Sequence, residues 1–435
     1  MTNSALRVGV AGLGTVGAGV LRLLHENAGL IAARAGRPIV VTAVSARDRT
    51  RDRGVDVSAM RWHDDPGALA RDPEVDVVVE LIGGSDGPAR AVVEAALAAG
   101  RPVVTANKAL MAVHGAALAE TSERHGAAIA FEAAVAGGIP VIKALREGLA
   151  GNRIDRVAGI LNGTCNYILT VMREQGRDFS DVLADAQRLG YAEADPSFDV
   201  DGIDAAHKLA ILAALAFNRP VDFAAVHVEG IRAISAVDIA LASELGFRIK
   251  LLGLARRTEA GIETRVHPCL VPLANPLAHV DGVFNAVVAE GDAVGRVMLE
   301  GRGAGAGPTA SAVVADLVDI ARGRSVPIWG MEGEALMSLP SVPMSVHQGA
   351  YYLRLMVVDR PGVIADITAA LRDAGVSLAS MLQRGRALGQ ALGEAVPVVL
   401  VTHETNEAAM RAALDQIQRS DAVLEPPALI RIEPA

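Results

Sequence analysis

Leu6-Arg7-Val8-Gly9-Val10-Ala11-Gly12-Leu13-Gly14-Thr15-Val16-Gly17, continuing as AGVLRLLHENA through residue 28, decides the fold of this chain. Residues 6–12 are a short apolar run of strand type, the glycines form GxGxxG, and a helical pattern begins at once. A dinucleotide loop needs that context. Gly12 allows the tight turn, Gly14 lets a pyrophosphate approach the backbone, and Gly17 lets helix and strand pack closely. The N–H groups at the helix start favour a phosphate. A glycine-rich packing turn would share the spacing without the ligand.

Strand and helix signals then alternate, as in an open parallel sheet. PIVVTAVSARD, residues 38–48, ends on Ser45-Ala46-Arg47, where an NAD site would place an acid. Arg47 either meets a 2′-phosphate, which favours NADP over NAD, or is a solvated surface arginine. VDVVVELIGG, residues 75–84, suits a strand buried on both faces, with Gly83 and Gly84 at its carboxyl end. RPVVTANKALMAVHG, residues 101–115, places Lys108 at the end of another strand, facing the ligand crevice. AAIAFEAAVAGGIPVI, residues 127–142, carries Glu132 in an apolar run. A buried Glu132 needs a cation or a backbone hydrogen-bond network.

The chemistry concentrates in GYAEADPSFDVDGIDAAHK, residues 190–208. Glu193, Asp195, Asp199 and Asp201 precede Asp204, and Lys208 follows Asp204 by four residues, which places the two on one helical face. GIDAAHKLAILAALAF is apolar around most of its surface, so the pair must be matched internally or face a cavity. Upstream, Asn162-Gly163-Thr164-Cys165-Asn166 reads as a turn and helix cap, or as the wall of a site. Cys165 has no fixed histidine partner and reads as structural. GRGAGAGPT, residues 301–309, is a second glycine-rich loop before a helix.

The C-terminal part reads strand, helix, strand, strand, helix, strand, the ferredoxin-like order. It serves either small-molecule binding or dimerisation. The net charge of -9 argues against a nucleic-acid partner. Two cysteines, Cys165 and Cys269, form no disulfide framework, and no apolar run is long enough to span a membrane; the expected compartment is cytoplasmic. The glycines in residues 1–20 and the lack of a basic leader speak against a signal peptide.

GLGTVG, TANKAL, FEAAVAGGIPVI, ILNGTCNYIL, GYAEADPSFDVDGIDAAHKLAIL and GAGAGPTASAV resemble, in order, the motifs of the homoserine dehydrogenase family. YYLRLMVVDRPGVIADI is similar to an ACT motif. The resemblance implies an α/β chain with a Rossmann-type nucleotide-binding domain at 1–135 and an α+β substrate and dimerisation domain at 136–305. It further implies a return to the first domain at 306–330, a linker at 331–349 and an ACT regulatory domain at 350–425. No N-terminal kinase domain is expected, so the form is monofunctional.

The implied reaction is reversible NAD(P)H reduction of L-aspartate 4-semialdehyde to L-homoserine, serving threonine, methionine and isoleucine biosynthesis. By resemblance, Lys208 handles the proton at the substrate oxygen, Asp204 binds the hydroxyl side and orients Lys208, and Glu193 binds the ammonium group. Lys108 lies beside cofactor and substrate. Leu13, Thr15, Val16, Gly190 and Gly305 touch the cofactor, together with Gly12, Gly14, Gly17 and Arg47. Glu132, with the carbonyls of Val135, Gly137 and Ile139, holds a sodium ion. L-threonine is the implied effector and a homodimer or homotetramer the implied assembly. Asp195, Asp199 and Asp201 are then loop-shaping and helix-start carboxylates. Two rival readings are a semialdehyde dehydrogenase using Cys165 as nucleophile and a non-catalytic amino-acid sensor.

Overall fold

The computed structural model describes residues 4–383 and 395–434. Residues 1–3, 384–394 and 435 lie outside them; in the sequence VSLASMLQRG, 376–385, which reads as the second strand of the C-terminal part, residues 384 and 385 are among these. The apolar run at residues 6–11 forms the strand Leu6–Ala11 near the middle of a six-stranded sheet. Its strands lie in the order Arg61–His63, Ile39–Ser45, Leu6–Ala11, Val77–Glu80, Val103–Thr105, Ile129–Ala130. All neighbours are parallel. Val77, Val78 and Val79 are fully buried, as expected for a strand covered on both faces. Strand order reverses between Leu6–Ala11 and Val77–Glu80, and a ligand crevice opens outside the carboxyl ends at such a point.

The helix Ala306–Ala321 returns to this sheet and packs on the first helix, Thr15–Glu26. Contact is close because Gly19 has no side chain: a Cβ there would lie 2.8 Å from the carbonyl of Ala306. The helix Ile203–Phe217 is buried from Asp204 onward. It lies against the strands Ile154–Ile160, Phe247–Thr258 and Gly261–Pro272 of a second sheet. Among the described residues no helix is long and apolar enough to cross a membrane.

The C-terminal unit has the expected βαββαβ order and its own core around Tyr351, Leu353, Ile367, Val398 and Leu414. Its last strand, Ala428–Ile432, falls beyond the expected limit of 425. The backbone explains this difference. That strand pairs antiparallel with Gln348–Val358 inside the unit, and parallel with Gly261–Pro272 of the middle region. The two regions therefore share one eleven-stranded sheet. The stretch before the unit is also tied down: Val342 N–H donates to Ile262 at 2.9 Å, and Ile262 N–H donates to Pro340 at 2.8 Å.

Buried charges reinforce this junction. Arg431 donates to Glu229 at 2.8 Å and to Glu407 at 2.6 Å, and Tyr351 Oη donates to Glu407 at 2.9 Å. Arg354 donates to Asp238 at 2.7 Å, and His347 Nδ1 lies 2.6 Å from Glu263. Burial alone would raise the Glu229 carboxyl, but His227 and Arg431 hold it below its ordinary range. Removing Arg431 would leave Glu229 and the buried Glu407 with only the half-exposed Arg411, and His227 for Glu229; breaking a buried pair costs up to roughly 3–5 kcal/mol. Arg431→Ala should therefore lower the thermal melting temperature of the whole chain, and Arg431→Lys should lower it less. An unchanged melting curve for the alanine variant would show that the cluster does not hold the junction.

Candidate active site

The cofactor loop follows from the three glycines. Gly12 has φ +100°, and a Cβ there would lie 2.6 Å from the backbone of Leu81. A Cβ on Gly17 would collide with the carbonyl of Gly12, whereas the space beside Gly14 is open, as a pyrophosphate requires. Thr15 is exposed at the start of a helix with no side-chain cap. Gly12, Leu13 and Gly14 face Arg47, Arg51 and Arg53 across a cavity of about 430 Å³. Arg53 is held by the Leu13 carbonyl at 3.2 Å and lies over the Trp62 ring.

Lys108 is placed by a chain of hydrogen bonds from the sheet. Buried Glu80 accepts from the N–H groups of Ile82 at 2.7 Å and Gly83 at 3.1 Å, and from Thr105 Oγ1 at 2.6 Å. Asn107 N–H donates to that Thr105 oxygen at 3.0 Å. Asn107 then caps the helix Lys108–His125, accepting from Leu110 N–H at 3.0 Å and donating to the Gly84 carbonyl at 2.7 Å. Lys108 is thereby the first helical residue, beside the crevice.

Asp204 is where the regions meet. Its Oδ2 accepts from Lys208 Nζ at 2.8 Å and from Asn162 Nδ2 at 2.8 Å. Its Oδ1 lies 2.7 Å from Lys108 Nζ. Lys208 Nζ also donates to the Leu161 carbonyl at 2.7 Å. Burial would raise the Asp204 carboxyl, but the two ammonium groups hold it far below its ordinary range. Burial pulls the Lys208 ammonium below its ordinary value against the pull of Asp204, with Lys108 adding repulsion. Lys108 moves the other way: burial opposes its charge, but Asp204, Asp199 and Glu193 raise it. One lysine is thus suited to exchange a proton and the other to remain charged.

Asp199, expected only to shape the loop, lines the same cavity, of about 410 Å³. It accepts from Asn162 Nδ2 at 2.8 Å and Thr164 Oγ1 at 3.2 Å, and burial with nearby Asp204 raises its carboxyl. Asp195 accepts from Ser197 N–H at 3.1 Å, and Asp201 pairs with Arg232. Glu193 is exposed on the loop. Val16, Gly137 and Gly305 line the inner cleft with both lysines, and Gly190 lines the outer one. Cys165 is sealed in the core, its thiol donating to the Asp199 carbonyl at 3.2 Å, and burial pushes it well above its ordinary value.

Glu132 finds the backbone network. Its two oxygens accept from Ile142 and Lys143 N–H, each at 2.9 Å, and its own N–H donates to Asp316 at 2.9 Å. Burial, with Asp316 nearby, still pushes its carboxyl up to about 7. Local sequence does not reveal the roles of Glu80 and Asn107, or the two hydrogen bonds that Asn162 Nδ2 donates to Asp199 and Asp204. The only signal for Glu80 was an acid closing a run of valines.

A parallel sheet with a dinucleotide loop, facing a lysine–carboxylate pair across a cleft, defines an NAD(P)-dependent oxidoreductase. The homoserine dehydrogenase family model matches residues 140–318, its NAD binding domain residues 12–132, and the ACT domain residues 351–419. A homoserine dehydrogenase of Pseudomonas aeruginosa is 49% identical over 434 residues, covering 98% of this chain and 99% of that protein. The crystal structure of a homoserine dehydrogenase from Thiobacillus denitrificans superposes with a TM-score of 0.93 at 48% identity, covering 100% and 99% of the two chains. A hyperthermophilic archaeal homoserine dehydrogenase in complex with NADPH matches with a TM-score of 0.62 at 26% identity, over 72% of this chain and 97% of that one. The chain belongs to the homoserine dehydrogenase family, oxidoreductases acting on a CH–OH group, in a form that carries an ACT domain.

Two substitutions separate the acid–amine site from the thiol. Asp204→Asn should lower kcat by roughly a hundredfold or more, because it removes the charge that fixes both lysines. Cys165→Ala should keep kcat within about twofold, at the expense of some stability from the small void. Steady-state assays of both variants check this; loss of activity only in the cysteine variant would reverse the assignment.

Proposed function

We propose that the chain catalyses reversible NADP-linked interconversion of L-aspartate 4-semialdehyde and L-homoserine, in the cytoplasm, for threonine, methionine and isoleucine synthesis. The observation that carries this reading is the buried Asp204 carboxylate shared by Lys108 and Lys208 at the mouth of the dinucleotide cleft. Bound nicotinamide supplies or accepts the hydride. Lys208 protonates the oxygen as the carbon is reduced, and its lowered pKa eases that transfer. Lys108, held charged, stabilises the alkoxide. Asp204 orients both, and Glu193 with neighbouring Asp199 supplies negative charge for the substrate ammonium group.

NADP preference is supported by Arg47, Arg51 and Arg53 around the cavity beyond Gly14; Asp48 lines the same cavity, but its carboxylate is taken by Thr50 Oγ1 at 2.7 Å. The archaeal relative with NADPH supports the same choice. Homoserine-dependent reduction should be much faster with NADP than NAD, and Arg47→Ala should raise KM for NADP while sparing that for NAD. Equal rates with both cofactors would remove the preference. Absence of any homoserine-dependent turnover would overturn the function and favour a sensor.

The proposed sodium site consists of Glu132 and the carbonyls of Val135, Gly137 and Ile139. The donor set is all oxygen, and Ala136 and Gly137 bend the chain through positive φ. Glu132 and Asp316 are both buried; Lys143 pairs with Asp316, and Lys143, Arg322 and Arg324 pair with Asp319, whereas Glu132 has no ion pair among the described residues. Without the cation, a carboxyl raised to about 7 stabilises the fold at acid pH, and that contribution is lost as pH rises through 7. Sodium reverses this trend. Melting temperature in sodium chloride should therefore exceed that in choline chloride, with a gap that widens from pH 5.5 to 8 and vanishes in Glu132→Gln. Equal melting in both salts at pH 8 would exclude the site.

Threonine control and a homodimer or homotetramer complete the reading. The ACT match supports an effector site. A route to the active site is at hand: Arg431 holds Glu229, Ile231 N–H donates to Val200 at 2.8 Å, and Arg232 pairs with Asp201. These contacts reach the short helix Ser197–Val200 that carries Asp199.

A further inference from the structure

Arg53 lines the cofactor cavity, yet its guanidinium group is spent on the backbone of the protein itself. Its Nε donates to the Leu13 carbonyl at 3.2 Å, its Nη1 to the Arg51 carbonyl at 2.6 Å, and its Nη2 to the Asp48 carbonyl. The Trp62 ring lies beneath it, with its centre 5.5 Å from the guanidinium carbon. The chain between the strands Ile39–Ser45 and Arg61–His63 forms no helix or strand, so it has no ladder of its own to hold its shape. Two local turns stiffen it: Thr50 N–H donates to Asp48 and Gly54 N–H to Asp52, each at 2.8 Å. Those bonds span two residues, whereas Arg53 reaches back forty, to the dinucleotide loop.

Leu13 stands between Gly12 and Gly14. In a trans peptide the carbonyl and the following N–H point to opposite sides, so an arginine that holds the Leu13 oxygen turns the Gly14 N–H the other way. Among the described residues that N–H has no partner, and the space beside Gly14 is open. Arg47 and Arg51 differ from Arg53. Both are exposed and line the cavity, and among the described residues neither side chain has a hydrogen-bond or ion-pair partner. The three arginines thus divide into two that are free to take an anion and one that is held by three carbonyls.

We propose that Arg53 is a positioning residue for cofactor selectivity. It ties the loop between Ser45 and Arg61 to the Leu13–Gly14 peptide, so that Arg47 and Arg51 are placed for the 2′-phosphate while Gly14 N–H stays turned toward the pyrophosphate. This rests on the NADP reading of the same cavity and gives Arg53 a role other than phosphate ligand. The fork matters more than the charge: a lysine is a point charge on a flexible stem and cannot span three carbonyls in this planar arrangement.

The test is binding to the full chain. NADPH and NADH are followed by fluorescence, and adenosine 2′,5′-bisphosphate and AMP, which differ only in the 2′-phosphate, by calorimetry. The native chain should bind the 2′-phosphorylated member of each pair more tightly. Arg53→Lys should weaken NADPH roughly tenfold to a hundredfold and narrow the preference for the bisphosphate over AMP. It should weaken NADH by a smaller factor, because both cofactors share the pyrophosphate loop. Arg51→Ala, which removes a phosphate partner and leaves the tie intact, should weaken NADPH alone. Native affinities in Arg53→Lys would overturn the proposal by showing that the charge suffices. A loss confined to NADPH would overturn it as well and make Arg53 a direct ligand. Equal losses for both cofactors, with a lowered melting temperature, would overturn it in favour of a packing defect. Equal affinity of the native chain for NADPH and NADH would instead refute the NADP reading.

Discussion

Everything at the active site depends on one buried carboxylate between two ammonium groups. Asp204 lies near the start of a helix that is otherwise buried and apolar, and it receives Lys208 from the next turn and Lys108 from the nucleotide-binding sheet. Alone, a charge in that position would be strongly disfavoured. Paired twice and hydrogen-bonded by Asn162, it stays ionised and ties the helix Ile203–Phe217 to Lys108 of the nucleotide-binding region. The same contacts differentiate the lysines, since burial depresses Lys208 while the surrounding carboxylates raise Lys108.

The rest of the fold can be understood as support for that placement. The Glu80–Thr105–Asn107 chain fixes Lys108 from the sheet side. The strand end at Leu161–Asn162 fixes Lys208, Asp204 and Asp199 from the other. The strand Ala428–Ile432 and the Arg431 cluster join the ACT unit to the sheet against which the helix Ile203–Phe217 packs. Cutting the chain before the ACT unit would expose the edge of Gly261–Pro272 and leave Glu229 without its arginine. Point substitutions are therefore the cleaner way to test the proposed effector control.

Local signals made much of this legible from the sequence. GxGxxG after an apolar strand fixes the nucleotide loop, and a spacing of four fixes Asp204 and Lys208 on one helical face. Non-local contacts were not legible. Lys108 meets Asp204 only where two parts of the chain distant in sequence pack together, and Asn162 looks like an ordinary cap until its Nδ2 is seen to bond two carboxylates. Asp199 read as a helix-start acid because its neighbours in space are far away in the chain. The shared sheet was hidden for the same reason: a strand pattern at 428–432 does not reveal that it has a partner on each side.

The central claim is that Lys208 is the group that moves the proton. The direct measurement is the pH dependence of kcat/KM for homoserine oxidation, in the native enzyme and in Lys208→Ala, with NADP binding followed by fluorescence. The native rate should rise with pH through a midpoint below the ordinary lysine value of about 10.4. The variant should bind NADP normally and lose turnover and that ionisation together. A Lys208→Ala enzyme that keeps both rate and profile would contradict the claim.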